Sequence, residues 1–259
     1  MLALDPQNFD LEGALTHFAE HGYARLGRVL SDEGIAQLGT RVDDLMHARV
    51  VHEGIFFQHD STTGRYQELE FGKGWQGPSS HYRKLEKLER DPLFLEWIRN
   101  GLNERVARAL IAGPISLYRA VLFTKSDRGG TALPWHQDGG VFWGVDRPPL
   151  LQIWTALDDC TVDSGCLEVI PGSHKAGLAS PQGGVILDDA LAKADAEQRA
   201  TPIAARAGEG LLIHNYLWHR SGVNRSGKRR STLSVCLMSA NTRCLRKKRA
   251  PRNFLRIFD

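Results

Sequence analysis

The sequence PWHQDGG occupies residues 134–140, in a half of the chain built from short apolar runs separated by Gly, Pro and Asp. Such runs are typical of antiparallel strands and their turns. Residues two apart in a strand project on the same side, so His136 and Asp138 can place an imidazole nitrogen and a carboxylate oxygen on one ion. A lone HxD pair often arises by chance. A metal site therefore requires a third ligand elsewhere in the chain.

A third ligand is offered by His219, which begins the segment HRSGVN at residues 219–224. Two histidines and one carboxylate on one face of an octahedral ion leave three positions open, the arrangement that oxygen-activating Fe(II) uses. His214 competes with His219 because both lie in the same strand-rich segment. We prefer His219, since only it precedes the Ser-Gly turn and lies eleven residues before Arg230. The interpretation is thus a ferrous ion bound by His219 and the HxD pair.

Arg230 suits the cosubstrate of such an iron site. A keto acid that chelates iron through its keto and adjacent carboxylate oxygens needs its far carboxylate held, and arginine offers a planar, two-pronged donor that keeps its charge. On a strand, Arg230 and Thr232 share a face, so the hydroxyl can add a donor to the same carboxylate. Taken alone, Arg230 would be a surface charge beside Arg229 and Lys228.

With these residues in place, the chain resembles the phytanoyl-CoA dioxygenase family of Fe(II)/2-oxoglutarate-dependent oxygenases. The order and spacing of the matching segments agree with that family and cover most of the chain. Two departures are modest: Thr232 stands where serine is also common, and Glu209 stands where the turn usually carries aspartate. The matching segments are HGYARL (21–26), WHQD (135–138), WTALDD (154–159), SGCLEVIPGSHK (164–175), GEGLLIHNYLWHRSGVN (208–224) and RRSTLSV (229–235).

The resemblance implies a mainly β fold with a helical buttress (α+β), whose core is a double-stranded β-helix, the cupin-like jelly-roll. It implies that His136, Asp138 and His219 bind Fe(II) and are the catalytic residues. It also implies that Arg230 anchors the cosubstrate 2-oxoglutarate. The other residues implied to line that pocket are Thr232 and Trp154, with Ser221 and Thr124 as weaker candidates.

The activity implied by the resemblance is hydroxylation of an unactivated C–H bond in a small molecule, with O2 as second cosubstrate and release of succinate and CO2. Related halogenases replace the carboxylate at the position of Asp138 with a small residue, so its presence favours hydroxylation. Desaturation, cyclisation or epoxidation on the same scaffold stays open. A non-catalytic jelly-roll binding module is disfavoured because the ligands and Arg230 are all present. A zinc hydrolase would have no use for Arg230 and would need a general base that we cannot identify.

The chain is interpreted as one oxygenase domain over residues 1–259. Residues 1–112 are expected to be mainly helical with a loop region at 54–80, residues 113–240 to form the jelly-roll core, and residues 241–259 to form a basic tail. Ser31 is expected to cap one helix. Asp91, followed by proline, is expected to cap another.

Composition narrows the class of protein further. The net charge is +3, yet residues 243–252 alone supply six positive charges, which we interpret as a solvated basic edge. Nucleic acid is therefore an unlikely partner. The chain lacks a signal peptide and any apolar run of membrane-spanning length, so a cytoplasmic location without membrane attachment is expected. Four scattered cysteines are expected to be reduced. The oligomeric state stays open.

The substrate is expected to be a small molecule bound at the mouth of the site. Lys84, Trp143 and Arg243 are the candidates to line this entrance, together with Arg83 and Lys87. Several cations there would suit an anionic substrate. Alternatively, these charges are solvated or paired with neighbouring glutamates.

Overall fold

The computed structural model describes residue 2 and residues 9–127, 129–247 and 251–259. Within these ranges the chain forms two antiparallel sheets, one of eight strands and one of five. No helix in the described ranges is both long and apolar enough to cross a lipid bilayer.

Four of the six α-helices in the described residues lie in the first half of the chain. The helices are α1 (Leu11–His21), α2 (Asp32–Met46), α3 (Pro92–Ile98), α4 (Gly101–Leu110), α5 (Asp188–Lys193) and α6 (Ala196–Arg199). The strands are β1 (Tyr23–Arg28), β2 (Phe56–His59), β3 (Tyr82–Glu86), β4 (Ile115–Lys125), β5 (Leu133–Gln137), β6 (Leu151–Ala156), β7 (Leu167–Val169), β8 (Gly184–Val185), β9 (Thr201–Ile203), β10 (Glu209–His214), β11 (His219–Ser221), β12 (Arg230–Ser239) and β13 (Arg256–Phe258).

The strand order identifies the core as the predicted jelly-roll. The large sheet runs β1-β10-β6-β12-β4-β3-β2, with β13 also paired to β4, and the small sheet runs β8-β5-β11-β7-β9. Several neighbouring strands are far apart in sequence, as β12 beside β6 and β4 illustrates. The mainly β fold expected from the sequence is thus confirmed.

Strand alternation gives the large sheet two different faces. Along β12, Leu233 and Val235 belong to an apolar core that also contains buried residues of α1 to α4. Arg230, Thr232 and Ser234 alternate with them and therefore project from the opposite face. The helices thus cover one face of the large sheet, as the expected buttress would, and the other face is left for polar side chains.

Side-chain caps fix where the N-terminal helices begin. The Ser31 side chain accepts a hydrogen bond from the backbone N–H of Gly34 at the start of α2. Asp91 accepts from the backbone N–H groups of Leu93 and Phe94 at the start of α3, with proline at the first helical position. Both predicted caps are confirmed.

The ends of the chain differ from the sequence-based expectation. Residues 1–112 contribute three strands to the large sheet besides their helices, because alternate burial in β1 places Ala24 and Leu26 in the core. The segment 241–259 is also not simply a solvated tail. Its β13 pairs with β4, and the Arg252 guanidinium donates to the carbonyl oxygen of Tyr118 at 2.6 Å.

Asp91 is the buried charge whose loss should weaken the helical buttress most. Its side chain is fully buried and accepts a 2.7 Å bond from Arg41 in addition to the two cap bonds. We expect Asp91→Ala to lower the free energy of unfolding by about 3 kcal/mol, since a cap and a buried charge partner are lost together. Denaturant titration measures this. Asp32→Ala, whose side chain is 94% exposed, should change it by less than about 0.5 kcal/mol; equal losses would contradict the account.

Candidate active site

A cavity of about 1840 Å³ is lined by residues of both sheets. It is larger than the roughly 300 to 1,000 Å³ of an ordinary small-ligand pocket, so it has room for a cosubstrate and a second molecule. Most of the site residues predicted from the sequence line it. These are Lys84, Thr124, His136, Asp138, Trp143, Trp154, His219, Ser221, Arg230 and Thr232.

His136 and His219 meet because their strands are paired. His136 in β5 is the direct cross-strand partner of His219 in β11, and opposite residues of an antiparallel pair project on the same side. Their ring centroids are 4.0 Å apart. Asp138 follows β5 by one residue, and its Oδ2 lies 3.9 Å from His219 Nε2. The structure therefore brings the three predicted ligands together.

Backbone carbonyl groups orient both imidazole rings. His136 Nδ1 lies 2.9 Å from the carbonyl oxygen of Pro134, and His219 Nδ1 lies 2.8 Å from that of Leu217. Each contact favours the tautomer whose Nδ1 carries the proton, so that the Nε2 lone pair is available. Burial and the neighbouring His219 lower the pKa of His136 to about 4. His136 is therefore a neutral nitrogen donor at neutral pH.

Asp138 is held as a carboxylate by a polar network that the sequence analysis missed. Its Oδ2 accepts a 3.0 Å bond from Arg119 Nη2 and a bond from Gln152 Nε2, and Ser234 Oγ donates to Gln152 Oε1 at 2.9 Å. Burial alone would raise the pKa of Asp138, but Arg119 and the two histidines hold it well below its usual range. The one available signal was Arg119 itself, a charge in the middle of the largely apolar strand ISLYRAVLFTK.

The types of donor atom fit a ferrous ion, although the three side chains are not at metal-ligand distances from one another. In the described part of the chain no three His, Cys, Asp or Glu side chains meet the spacing of a metal cluster. The Asp138 oxygen nearest His219 also accepts hydrogen bonds from Arg119 and Gln152, and such bonds commonly orient a carboxylate that binds a metal. Two imidazole nitrogens and one carboxylate on one side of a cavity are the ligands that non-haem Fe(II) takes.

Arg230 and Thr232 form a second polar cluster on the same sheet face. Arg230 is 5% exposed, and its Nη2 donates to the carbonyl oxygen of Gly165 at 2.7 Å. Thr232 Oγ1 is buried without a hydrogen-bond partner among the described residues. Trp154 pairs with Ser234 across β6 and β12 and so lies on this face too. A guanidinium beside an unpartnered hydroxyl fits the far carboxylate of a dicarboxylate.

The weaker cosubstrate candidates are placed differently. Ser221 lines the cavity from β11. Thr124 pairs with Ser231, whereas Arg230 pairs with Lys125. Because paired residues share a face, the side chain of Thr124 projects from the side of the sheet opposite to Arg230. Thr124 lines the cavity, but the β4 residue that shares the Arg230 face is Lys125, which the sequence did not indicate.

Of the predicted substrate residues, Lys84 and Trp143 line the cavity. Lys84 Nζ forms a 2.7 Å ion pair with Glu86, so the alternative expected from the sequence, a lysine paired with a neighbouring glutamate, holds for it. Trp143 stacks on Tyr118 with ring centroids 4.3 Å apart. The Arg119 guanidinium lies 4.7 Å from the Trp143 ring. This aromatic stack is therefore connected to Asp138 through Arg119.

Arg243 is the predicted substrate residue that the structure contradicts. Its side chain is 83% exposed and forms a 3.0 Å ion pair with Asp146, and it is not among the residues that line the cavity. The basic residues of the same segment that do reach the cavity are Arg246, Lys247 and Arg252. The sequence indicated neither these residues nor the direction of Arg243, because a non-repetitive turn gives no periodicity from which to infer the direction of a side chain.

The chain is similar to known proteins over most of its length. The family model described as phytanoyl-CoA dioxygenase (PhyH) matches residues 18–232. Phytanoyl-CoA dioxygenase of Arabidopsis thaliana is 25% identical over 252 residues, 88% of each chain. L-proline trans-4-hydroxylase of Streptomyces griseoviridis is 29% identical over 245 residues, 86% of this chain and 84% of the relative. The crystal structure of EctD from S. alaskensis with 2-oxoglutarate and 5-hydroxyectoine matches with a TM-score of 0.72 at 20% identity, covering 94% of this chain and 82% of EctD.

Proposed function

Because the chain belongs to the phytanoyl-CoA dioxygenase family, whose members are Fe(II)- and 2-oxoglutarate-dependent oxygenases, we propose that it hydroxylates a C–H bond of a small anionic molecule. The reaction takes O2 and 2-oxoglutarate and releases succinate and CO2, with one oxygen atom in the product alcohol and the other in succinate. The observation that carries the proposal is the cross-strand pair of His136 and His219 beside Asp138, in the same cavity as Arg230.

Each of these residues has a defined task in the proposed reaction. His136 and His219 present Nε2 because their Nδ1 atoms face carbonyl groups. Arg119 keeps Asp138 ionised and limits its rotation. Arg230 holds the far carboxylate of 2-oxoglutarate at the buried end of the cavity, where water competes least. When bound, the ferrous ion supplies the oxidising chemistry that no side chain can.

An anionic substrate is favoured by the charge of the cavity. Eleven basic and five acidic residues line it, and a positively charged cavity with apolar walls concentrates anions. Exposed aromatic residues at the same cavity, Phe71 and Phe142, are 87% and 71% exposed. A carboxylate with an apolar body matches both features. The similarity to L-proline trans-4-hydroxylase supports an amino acid or a related carboxylic acid.

A substrate panel under 18O2 tests the proposed reaction. The protein with Fe(II), ascorbate and 2-oxoglutarate is incubated with small carboxylic acids, including L-proline, and succinate and product mass are measured. We expect at least one acid to raise succinate formation and to gain one 18O atom. A product two hydrogen atoms lighter than the substrate would indicate desaturation or cyclisation in place of hydroxylation. Absence of succinate formation with every acid would contradict the oxygenase proposal.

A further inference from the structure

Three buried cations at one end of the cavity have no carboxylate partner. Arg83, Lys125 and Arg230 line the cavity and are 8%, 5% and 5% exposed. None of the three takes part in an ion pair with another described residue, in contrast to Arg119 and Lys84. A buried charge without a counterion is costly. This end of the cavity is therefore suited to an anion from outside the chain.

Lys125 lies beside Arg230 because of the strand pairing in the large sheet. The two residues are direct cross-strand partners of β4 and β12, so their Cβ atoms are roughly 5 Å apart on one face. Lys125 Nζ donates to the carbonyl oxygen of Thr131 at 2.7 Å. An ammonium has three protons, so two remain for an incoming acceptor. A carboxylate on the Arg230 guanidinium is within reach of this ammonium.

Asp60, the acidic group that acts on the charge of Lys125, is hydrogen-bonded to other groups. Asp60 Oδ1 accepts from the backbone N–H of Thr131 at 2.9 Å and from that of Ser61 at 3.0 Å, and the Thr131 hydroxyl also donates to it. These bonds fix the loop after β2 against the segment between β4 and β5. Asp60 therefore weakens the positive charge around Lys125 without forming an ion pair with it.

We propose that Lys125 is a second cationic group for the far carboxylate of 2-oxoglutarate, which it binds together with Arg230 and for which it takes up a proton. The inference rests on the proposed function. Arg230 alone can anchor a carboxylate, but the strand register places Lys125 beside it. A carboxylate that contacts both cations would compensate more buried positive charge than a carboxylate that contacts Arg230 alone. Lys125 thus contributes to cosubstrate affinity and makes that affinity depend on pH.

The sign of the pH dependence follows from the groups that face Lys125. Burial, Arg230 on β12 and Arg83 on β3 lower the pKa of Lys125 to about 7, and only Asp60 opposes them. Without the cosubstrate, Lys125 therefore loses its proton as the pH rises above about 7. A bound carboxylate favours the ammonium and raises that pKa again. Affinity for 2-oxoglutarate should be constant below pH 7 and should fall above it, by up to tenfold per pH unit.

Calorimetry on anaerobic, Fe(II)-loaded protein tests this role. Between pH 7.0 and 8.5 we expect the Kd of the wild-type protein for 2-oxoglutarate to rise roughly tenfold, with proton uptake detected by comparing buffers of different ionisation enthalpy. Lys125→Arg keeps a permanent charge, so it should bind well with no pH dependence. Lys125→Met should bind at least roughly tenfold more weakly at pH 7.0. Lys193→Met, an exposed lysine outside the cavity, should match the wild-type protein.

A keto acid that lacks the far carboxylate distinguishes carboxylate binding by Lys125 from a purely structural role of Lys125. 2-Oxopentanoate has the same five-carbon chain without the far carboxylate, so Lys125→Met should leave its affinity unchanged. Equal losses for both keto acids, or a wild-type pH dependence in Lys125→Arg, would overturn the role of Lys125 alone. If the wild-type protein binds no 2-oxoglutarate at all, that result contradicts the proposed function, and with it this inference.

Discussion

His219→Ala is expected to lower the affinity for Fe(II) by more than about a hundredfold and to abolish succinate formation. Loss of groups that only support a metal ligand typically costs ten- to a hundredfold, so loss of a ligand should cost more. The remaining pair, His136 and Asp138, would leave the ion without its third protein donor. Fe(II) affinity measured by anaerobic competition with a chromogenic chelator, alongside succinate formation, gives both quantities.

His214→Ala is the matched control for that substitution. His214 lies five residues away in the same segment, but its ring packs 4.8 Å from His174 and its Nδ1 accepts from the backbone N–H of Tyr216 at 3.0 Å. It does not line the cavity. We expect this variant to bind Fe(II) normally and to lose some stability at most. If the two alanine variants lost Fe(II) affinity equally, His219 would not be a ligand.

Arg230→Met is expected to raise the KM for 2-oxoglutarate at least thirtyfold. Removing one partner from a buried, hydrogen-bonded charge pair costs about 2 to 5 kcal/mol, which corresponds to a factor of thirty or more. Because the far carboxylate is remote from the reacting C–H bond, kcat at saturating 2-oxoglutarate should fall much less. Steady-state kinetics with 2-oxoglutarate as the varied substrate separates the two constants.

Arg229→Met provides the neighbouring control. Arg229 points away from the cavity and bonds Asp43 of α2, with its side chain 31% exposed. Its loss removes a charge from the same strand end without touching the proposed subsite, so the KM for 2-oxoglutarate should stay within about twofold of wild type. A large fall in kcat with an unchanged KM in Arg230→Met would contradict the anchoring role.

Local sequence signals predicted the parts of the fold that depend on near neighbours. Ser31 and Asp91 were identifiable as caps because the chemistry of a helix start lies within three residues. His136 and His219 were identifiable as a pair because both lie in motifs that occur in a recognisable order along the chain. The structure supplies the reason that they meet, namely the direct register between β5 and β11.

Residues whose role depends on register across distant strands could not be predicted. Arg119 meets Asp138 because the two sheets line one cavity, and Lys125 pairs with Arg230 because β4 lies beside β12. No local pattern specifies either arrangement. The same register pairs Thr124 with Ser231 and not with Arg230, since a shift of one residue reverses the face of a strand.

The most direct test of the central claim is the visible absorption spectrum of the protein under anaerobic conditions with Fe(II) and 2-oxoglutarate. If His136, Asp138 and His219 hold the ion while the keto acid chelates it, the wild-type protein should give a weak charge-transfer band that requires both Fe(II) and 2-oxoglutarate. His136→Ala should lose this band. Absence of the band in a folded wild-type protein, or its persistence in His136→Ala, would contradict the account.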